Sequence, residues 1–370
     1  MTRNNVVKAF KIASANLVAL SIKTTNKCNL NCVHCSPNSN IKEKHVTSTE
    51  YIKKVIKQFV DIGGTTLILG GGEPFTRPDL LEIINFADGL DLNINIETNG
   101  ILVDQKIGGI RGKNITFIIS LDGIRPETHD SFRRVKGAYA KTIKNIELLV
   151  KNNFKVRITT VLNRKNENEI KDIVNYCMKM NIEHRLLPII TDSGRGSIDE
   201  ARELALSPQE VLHYLEKSYL PIYRKFILQG KNHMLMVDLP RAILPKDIET
   251  FSICAWGINM IGLNHNGDIS LCHYVTDEEP FNLGRIDQKS LSELWFDSKI
   301  FKNIRKINKK TLKGVCSNCI YVERCRGLCR LSAFQKYHDI YAPYPICQDF
   351  FEKGLFPKNR MIDPEKDCYM

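Results

Sequence analysis

The stretch Cys28-Asn-Leu-Asn-Cys32-Val-His-Cys35 decides how the rest of the chain is read. Its three thiols stand at C-x3-C-x2-C, near enough along the backbone to serve one metal centre from a single loop. Thiolate is the ligand that iron–sulfur clusters take. Three thiolates on a [4Fe–4S] cube leave one iron without a protein ligand, and an open iron can bind and activate a small molecule. The competing readings are a structural zinc site or three unrelated core cysteines. Zinc sites pair one C-x2-C with a second pair some way off, which this tight triplet does not match.

Outward from that loop the chain alternates short apolar runs with amphipathic ones. Residues 17–22, 65–69, 92–96, 115–119, 156–161 and 184–189 read as strands from their length and β-branched content. Residues 48–61, 78–88, 139–152 and 167–180 carry helical spacing, with Ser48 and Asn166 as expected helix starts. Regular β–α alternation predicts an α/β fold with a parallel sheet. In a barrel built this way, functional groups collect at the C-terminal ends of the strands. The cysteine loop follows the first strand and so falls on that rim.

Other rim segments carry polar groups. Gly70-Gly71-Gly72-Glu73-Pro74 follows the second strand, and its glycines allow close backbone approach to a ligand. Glu97-Thr98-Asn99-Gly100 follows the third strand; Ser120 and Asp122 follow the fourth. Arg133 and Arg134 come next, either of which suits a carboxylate. Asn163 and Asn166 follow the fifth strand, Leu187 and Pro188 end the sixth, and Gly194-Arg195-Gly196 reads as a loop over the rim.

The cysteine spacing resembles that of the radical S-adenosylmethionine (SAM) superfamily, in which the open iron chelates the amino and carboxylate groups of SAM. The resemblance implies a partial (β/α)6 TIM-like barrel. It makes Gly71, Gly72, Glu73 and Pro74 the loop that holds the SAM amino group, and Ser120 and Asp122 a Ser-x-Asp that contacts SAM. Thr98, Asn99, Arg133 and Leu187 complete the expected SAM contacts, with Arg133 on the carboxylate and Leu187 against adenine.

A second constellation begins at Cys254. Asn266-Gly267-Asp268 is a strong hairpin turn, so Cys254 and Cys272 are expected at the ends of a β-hairpin. Cys316-x2-Cys319-x5-Cys325-x3-Cys329 follows, then Cys347. These seven cysteines resemble the SPASM extension of radical SAM enzymes, which binds two auxiliary [4Fe–4S] clusters. The resemblance implies Cys254, Cys272 and Cys329 on the first, and Cys316, Cys319, Cys325 and Cys347 on the second. One thiolate short of eight, the first cluster has an open iron or borrows His265, Cys368 or a substrate sulfur. Where sulfatase-maturing relatives carry a basic Asp after the second hairpin cysteine, this chain has His273, the expected catalytic base. Cys177 reads as a small buried apolar residue.

The expected divisions are an N-terminal extension (1–15), the barrel (16–225), a helix-rich bridge (226–250), the auxiliary iron–sulfur domain (251–350) and a tail (351–370). No stretch approaches a membrane span, and the N-terminus lacks a signal pattern. Twelve cysteines without a signal read as metal ligands in a reducing cytoplasm. The net charge of +12 comes from scattered lysines; no aromatic-interleaved basic stripe points to nucleic acid.

The activity implied is reductive SAM cleavage to a 5′-deoxyadenosyl radical, fed by an electron donor such as flavodoxin or ferredoxin. The first expected substrate is a ribosomally made peptide, cross-linked, epimerised or otherwise oxidised. With about twenty residues before the first strand, recognition by a separate peptide-binding protein is then expected. The alternative is a small molecule: a tetrapyrrole losing carboxylate-bearing side chains, or a sugar or nucleoside intermediate.

Overall fold

The computed structural model describes residues 16–44, 46–112, 114–249, 254–275 and 279–362; the N-terminal extension and Cys368 lie outside them. The six expected strands form as β1 (Ala19–Thr25), β2 (Thr66–Gly71), β3 (Asn93–Thr98), β4 (Ile115–Ser120), β5 (Lys155–Val161) and β6 (Glu183–Leu187). Each pairs in parallel with the next. Between them run α1 (Thr49–Asp61), α2 (Leu80–Asp88), α3 (Pro126–Arg133), α4 (Ala138–Lys151) and α5 (Ile170–Lys179). Ser48 caps α1, its hydroxyl accepting from the Tyr51 amide. Asn166 does not cap α5: its amide nitrogen donates to the carbonyls of Asp122 and Val161 instead.

Side chains alternate across a strand, and the alternation separates two environments. On β2 to β6 the buried positions, such as Leu69, Ile96, Ile119, Ile158 and Leu186, pack against the helices in the main core. The intervening positions are half-exposed and mostly polar: Asn95 and Glu97, Thr116 and Ser120, Arg157 and Thr159, Glu183 and Arg185. A closed TIM barrel fills its interior with layers of branched apolar side chains. This partial barrel keeps a polar, open lumen.

Two features depart from expectation. The segment expected to be helical throughout also contributes β7 (Leu235–Val237), parallel to β6. The cysteine hairpin, β8 (Met260–Leu263) and β9 (Ile269–Ser270), joins the barrel sheet itself, β8 lying parallel to β1. With β10 (Asn282–Gly284) the sheet has ten strands, ordered β10-β9-β8-β1-β2-β3-β4-β5-β6-β7. Strand β1 would otherwise be an unpaired edge, which sheets avoid by covering or pairing it.

Gly262 shows how close that union is. It lies opposite Ser21, and a Cβ there would come 2.4 Å from the Cys272 carbonyl carbon. The chain at 272–275 therefore folds directly over the lumen side of β8.

Candidate active site

The cysteine loop is anchored from two sides by hydrogen bonds. Glu73 N–H donates to Lys27 O and Gly72 N–H to Thr25 O, each at 2.8 Å, stitching the glycine loop to the segment that enters Cys28. Gly72 needs its missing side chain, since a Cβ would sit 2.2 Å from Lys27 O. From the far side comes the loop at 194–197. Arg195 Nε donates to Cys32 O at 2.8 Å and its Nη1 to Ser39 O at 2.9 Å, while its amide donates to Cys35 O at 2.9 Å. Sequence reasoning saw only a loop over the rim; the structure makes Arg195 a clamp on it. Arg195→Ala is expected to speed loss of iron from this site to a chelator several-fold while moving Tm by only a few degrees. Unchanged iron retention would refute the clamp.

The three thiols face one another closely enough for their charges to interact. Burial, followed by Glu73 and then the neighbouring thiols Cys32 and Cys35, pushes the Cys28 thiol up to about 12. Burial likewise raises Cys32, although Arg133 Nη1 donates to its sulfur at 3.6 Å.

Glu73 itself points inward. Its Oε1 accepts from Thr98 Oγ1 (2.8 Å) and the Phe75 amide (3.1 Å), and its Oε2 from the Asn99 amide (2.8 Å). The carboxyl thus bolts the tip of β2 to the tip of β3. Asn99 Nδ2 then reaches Asn29 Oδ1 at 2.8 Å, inside the cysteine loop. What this loop presents to a ligand is backbone at Gly71 and Gly72, not the carboxyl. Burial raises Glu73 from its usual 4.5 to about 7, the hydrogen bonds opposing. A carboxyl raised on folding stabilises fully below its unfolded value and loses that contribution as pH climbs to 7. Glu73→Gln should therefore flatten the fall in apo-protein stability between about pH 4.5 and 7, by up to ~3 kcal/mol. Urea unfolding across that range measures it; an unaltered slope would assign the pH dependence elsewhere.

Asp122 and Arg133 turn out to be partners. Both are buried and ion-paired, and Asp122 Oδ1 also accepts from the Val161 amide at 2.7 Å. Burial raises the Asp122 carboxyl, with Arg133 opposing. Burial also works against the Arg133 charge, but Asp122 and Cys32 overcome it and raise the guanidinium. Arg134, in a left-handed conformation just after α3, turns away to Glu200. Ser120 ends β4 on the lumen face, and Leu187 ends β6 beside a small cluster containing Val33 and Phe132. Asn163 is buried and spent on loop contacts with Val161 O and the Lys165 amide.

His273 is brought into the barrel but not as a free base. Its Nδ1 lies 2.5 Å from Ser21 Oγ, and Trp256 and Tyr274 flank the ring at 5.6 and 4.0 Å. Burial, then the Lys23 charge, lowers it from 6.5 to about 3. Such a ring stays neutral at ordinary pH and takes protons poorly, so its geometry suits positioning better than general-base work. The residue after it is what the lumen receives. Tyr274 is accessible yet lies within electrostatic reach of Glu97, Cys272, Arg185 and Cys35, as befits a side chain lining an internal space.

The remaining cysteines gather as two groups. Cys254 and Cys329 share a hydrogen bond, with Cys272 in reach of Cys254. His265 sits in the hairpin turn, its carbonyl bound by Thr47, at the opposite end of the hairpin from these thiols. Cys316, Cys319, Cys325 and Cys347 line one pocket with apolar walls such as Val315, Val322 and Phe356. Four thiols in an apolar pocket fit a [4Fe–4S] cube. Among the described residues no three His, Cys, Asp or Glu close around a single metal ion. Arg330, buried and bonded to the carbonyls of Ile340 and Ala342, lies within reach of thiols of both groups. Cys177 is a core residue of α5.

A three-cysteine loop on a parallel barrel rim, with two further cysteine groups beyond, is a donor set suited to iron–sulfur clusters. The radical SAM superfamily model matches residues 22–177, and the SPASM iron–sulfur cluster-binding domain model matches residues 254–320. Enzymes of that superfamily employ [4Fe–4S] clusters and SAM. The chain is 29% identical to the AdoMet-dependent heme synthase of Methanosarcina barkeri over 341 residues, 87% of this chain and 94% of that one. It is 24% identical to the PqqA peptide cyclase of Rhizobium meliloti over 333 residues, 89% and 86% of the two chains. In structure it is similar to SuiB of Streptococcus suis bound to S-adenosylmethionine, with TM-score 0.73, 19% identity, and 94% and 81% coverage. That likeness shows the fold. No helix among the described residues is long and apolar enough to cross a membrane.

Proposed function

We propose that this enzyme performs oxidative chemistry on the carboxylate-bearing side chains of a tetrapyrrole held in the barrel lumen. When bound, the Cys28/Cys32/Cys35 cluster and SAM supply a 5′-deoxyadenosyl radical that abstracts a hydrogen atom. The chain's own residues hold that chemistry in place: Arg195, Glu73 and Asn99 fix the cysteine loop, and the Cys272–Val275 segment packs on β8 at Gly262. The observation that supports the reading is the polar lumen itself, in which the Lys23 ammonium has no bonded partner among the described residues. The heme-synthase relative, similar over nearly its whole length, supports the same substrate class. The two cysteine groups at Cys254/Cys272/Cys329 and Cys316/Cys319/Cys325/Cys347 would hold auxiliary clusters able to accept an electron.

A peptide substrate is the second reading, favoured by the likeness to the PqqA peptide cyclase. Mass spectrometry separates the two. Anaerobic, reduced enzyme with SAM and iron coproporphyrin should give loss of carbon dioxide and two hydrogens from a propionate side chain. An unaltered porphyrin, alongside a mass change in a short peptide encoded near the gene, would establish the second reading.

A further inference from the structure

The lumen holds one cation that nothing in the fold explains. Lys23 sits on β1 two residues beyond Ser21, on the lumen side, and is only 3% exposed. Among the described residues its ammonium makes neither an ion pair nor a hydrogen bond, whereas Arg157 and Arg185, also on lumen positions, are neutralised by Glu183 and Asp238. The nearest negative groups acting on it are Cys35 and Glu43, neither bonded to it. Among the described residues no anion is bonded to this ammonium, and its Nζ is not one of the fully enclosed unbonded atoms, which leaves it open to a partner that arrives from the lumen.

The space around Lys23 is shaped for one. Beside it, β2 ends in Gly70 and Gly71, which project no side chain into the lumen. A Cβ on Gly71 would come 2.9 Å from Lys23 Cγ, and one on Gly70 would come 2.6 Å from Glu97 Oε2. The two glycines thus separate a lone cation from a carboxyl that is also without an ion pair, and Tyr274 faces the same space. A single ammonium suits one carboxylate; a phosphate would call for several donors or a bidentate guanidinium. The SAM carboxylate is the other candidate partner, and the two can be told apart.

The geometry points to Lys23 as the anchor for a substrate carboxylate, fixing the substrate in the lumen beside the glycine end of β2. This inference rests on the tetrapyrrole reading above. It makes Lys23 a specificity residue, with Glu97 and Tyr274 left to face the uncharged part of the same ligand.

The test uses reconstituted full-length enzyme and the variants Lys23→Met and Lys23→Gln, both of which remove the charge while keeping much of the volume. Iron coproporphyrin and its carboxamide counterpart are titrated by optical absorption, and SAM by the electron paramagnetic resonance of the reduced cluster. Wild-type enzyme should bind the acid about tenfold more tightly than the amide. Both variants should lose that preference with amide affinity and SAM affinity unchanged. A variant that keeps the preference, or a wild type that never shows it, overturns the anchor and leaves the tetrapyrrole reading standing. Weakened SAM binding in the variants also overturns the anchor, giving Lys23 to the cofactor. If wild type binds neither porphyrin, the substrate reading and the anchor fall together.

Discussion

Cys32→Ala is expected to abolish reductive SAM cleavage while leaving the iron and absorbance of the auxiliary groups in place. Cys32 is the middle thiol of the triplet and is held from two sides. Its carbonyl is gripped by Arg195, its sulfur receives Arg133, and the next amide, Val33, donates to Phe132 O at 3.1 Å. Two remaining thiolates cannot keep a cube on so short a loop, so the loss should be complete, not graded. The fold should survive, because the loop is held by contacts to carbonyls that the substitution spares. Anaerobic reconstitution, iron counting and quantitation of 5′-deoxyadenosine measure the outcome. Residual cleavage at the wild-type rate would mean the open iron lies elsewhere.

Asp122→Ala should be the most destabilising single change on the rim. It leaves Arg133 charged, buried and without its carboxylate partner, and strands the Val161 amide. Breaking a buried ion pair in this way costs about 3–5 kcal/mol. At the unfolding entropy expected for 370 residues that is a fall in Tm of roughly 4–6 °C. The loss should appear in metal-free protein, with no SAM present. Removing the guanidinium as well, in Asp122→Ala/Arg133→Met, should recover part of it, since the unpaired charge is then gone. If Asp122 instead served SAM alone, the apo protein would keep its stability and only SAM affinity would fall. Thermal unfolding and a SAM titration on the same preparations distinguish the two.

The Asp122–Arg133 pair illustrates what a linear reading can and cannot reach. Residues 115–119 announce a strand by their branched, apolar run, and the structure places β4 there. The Ser-x-Asp that follows resembles a cofactor contact, yet its Asp is claimed by an arginine eleven residues on, once α3 folds back over the strand end. The same holds for Glu73: the glycine run is visible, but its three inward hydrogen bonds depend on how β2 and β3 lie in register. Strand β7, only three residues long, carries no periodicity of its own and exists because β6 offers it an edge. Lys23 left a trace in the sequence, a lone charge inside Leu-Ser-Ile-Lys, but that no described residue bonds to it shows only in three dimensions. The cysteine spacing was visible in the sequence and its grouping followed from the SPASM resemblance; Arg330 between the two groups was visible in neither.

The crossing of the chain at 272–275 over Gly262 has a consequence for how such an enzyme fails. Cys272, His273 and Tyr274 are consecutive, so a thiol beside Cys254 and a side chain near the lumen residues Glu97 and Arg185 belong to one short ribbon; on the proposed reading these are an auxiliary-cluster ligand and a wall of the substrate chamber. A cell short of iron would then make protein whose chamber is loosely shaped, not merely one starved of electrons. Selectivity and redox competence would be lost together, and a half-built enzyme would be idle instead of promiscuous. For a catalyst that releases a radical able to attack almost any C–H bond, that linkage is a form of safety.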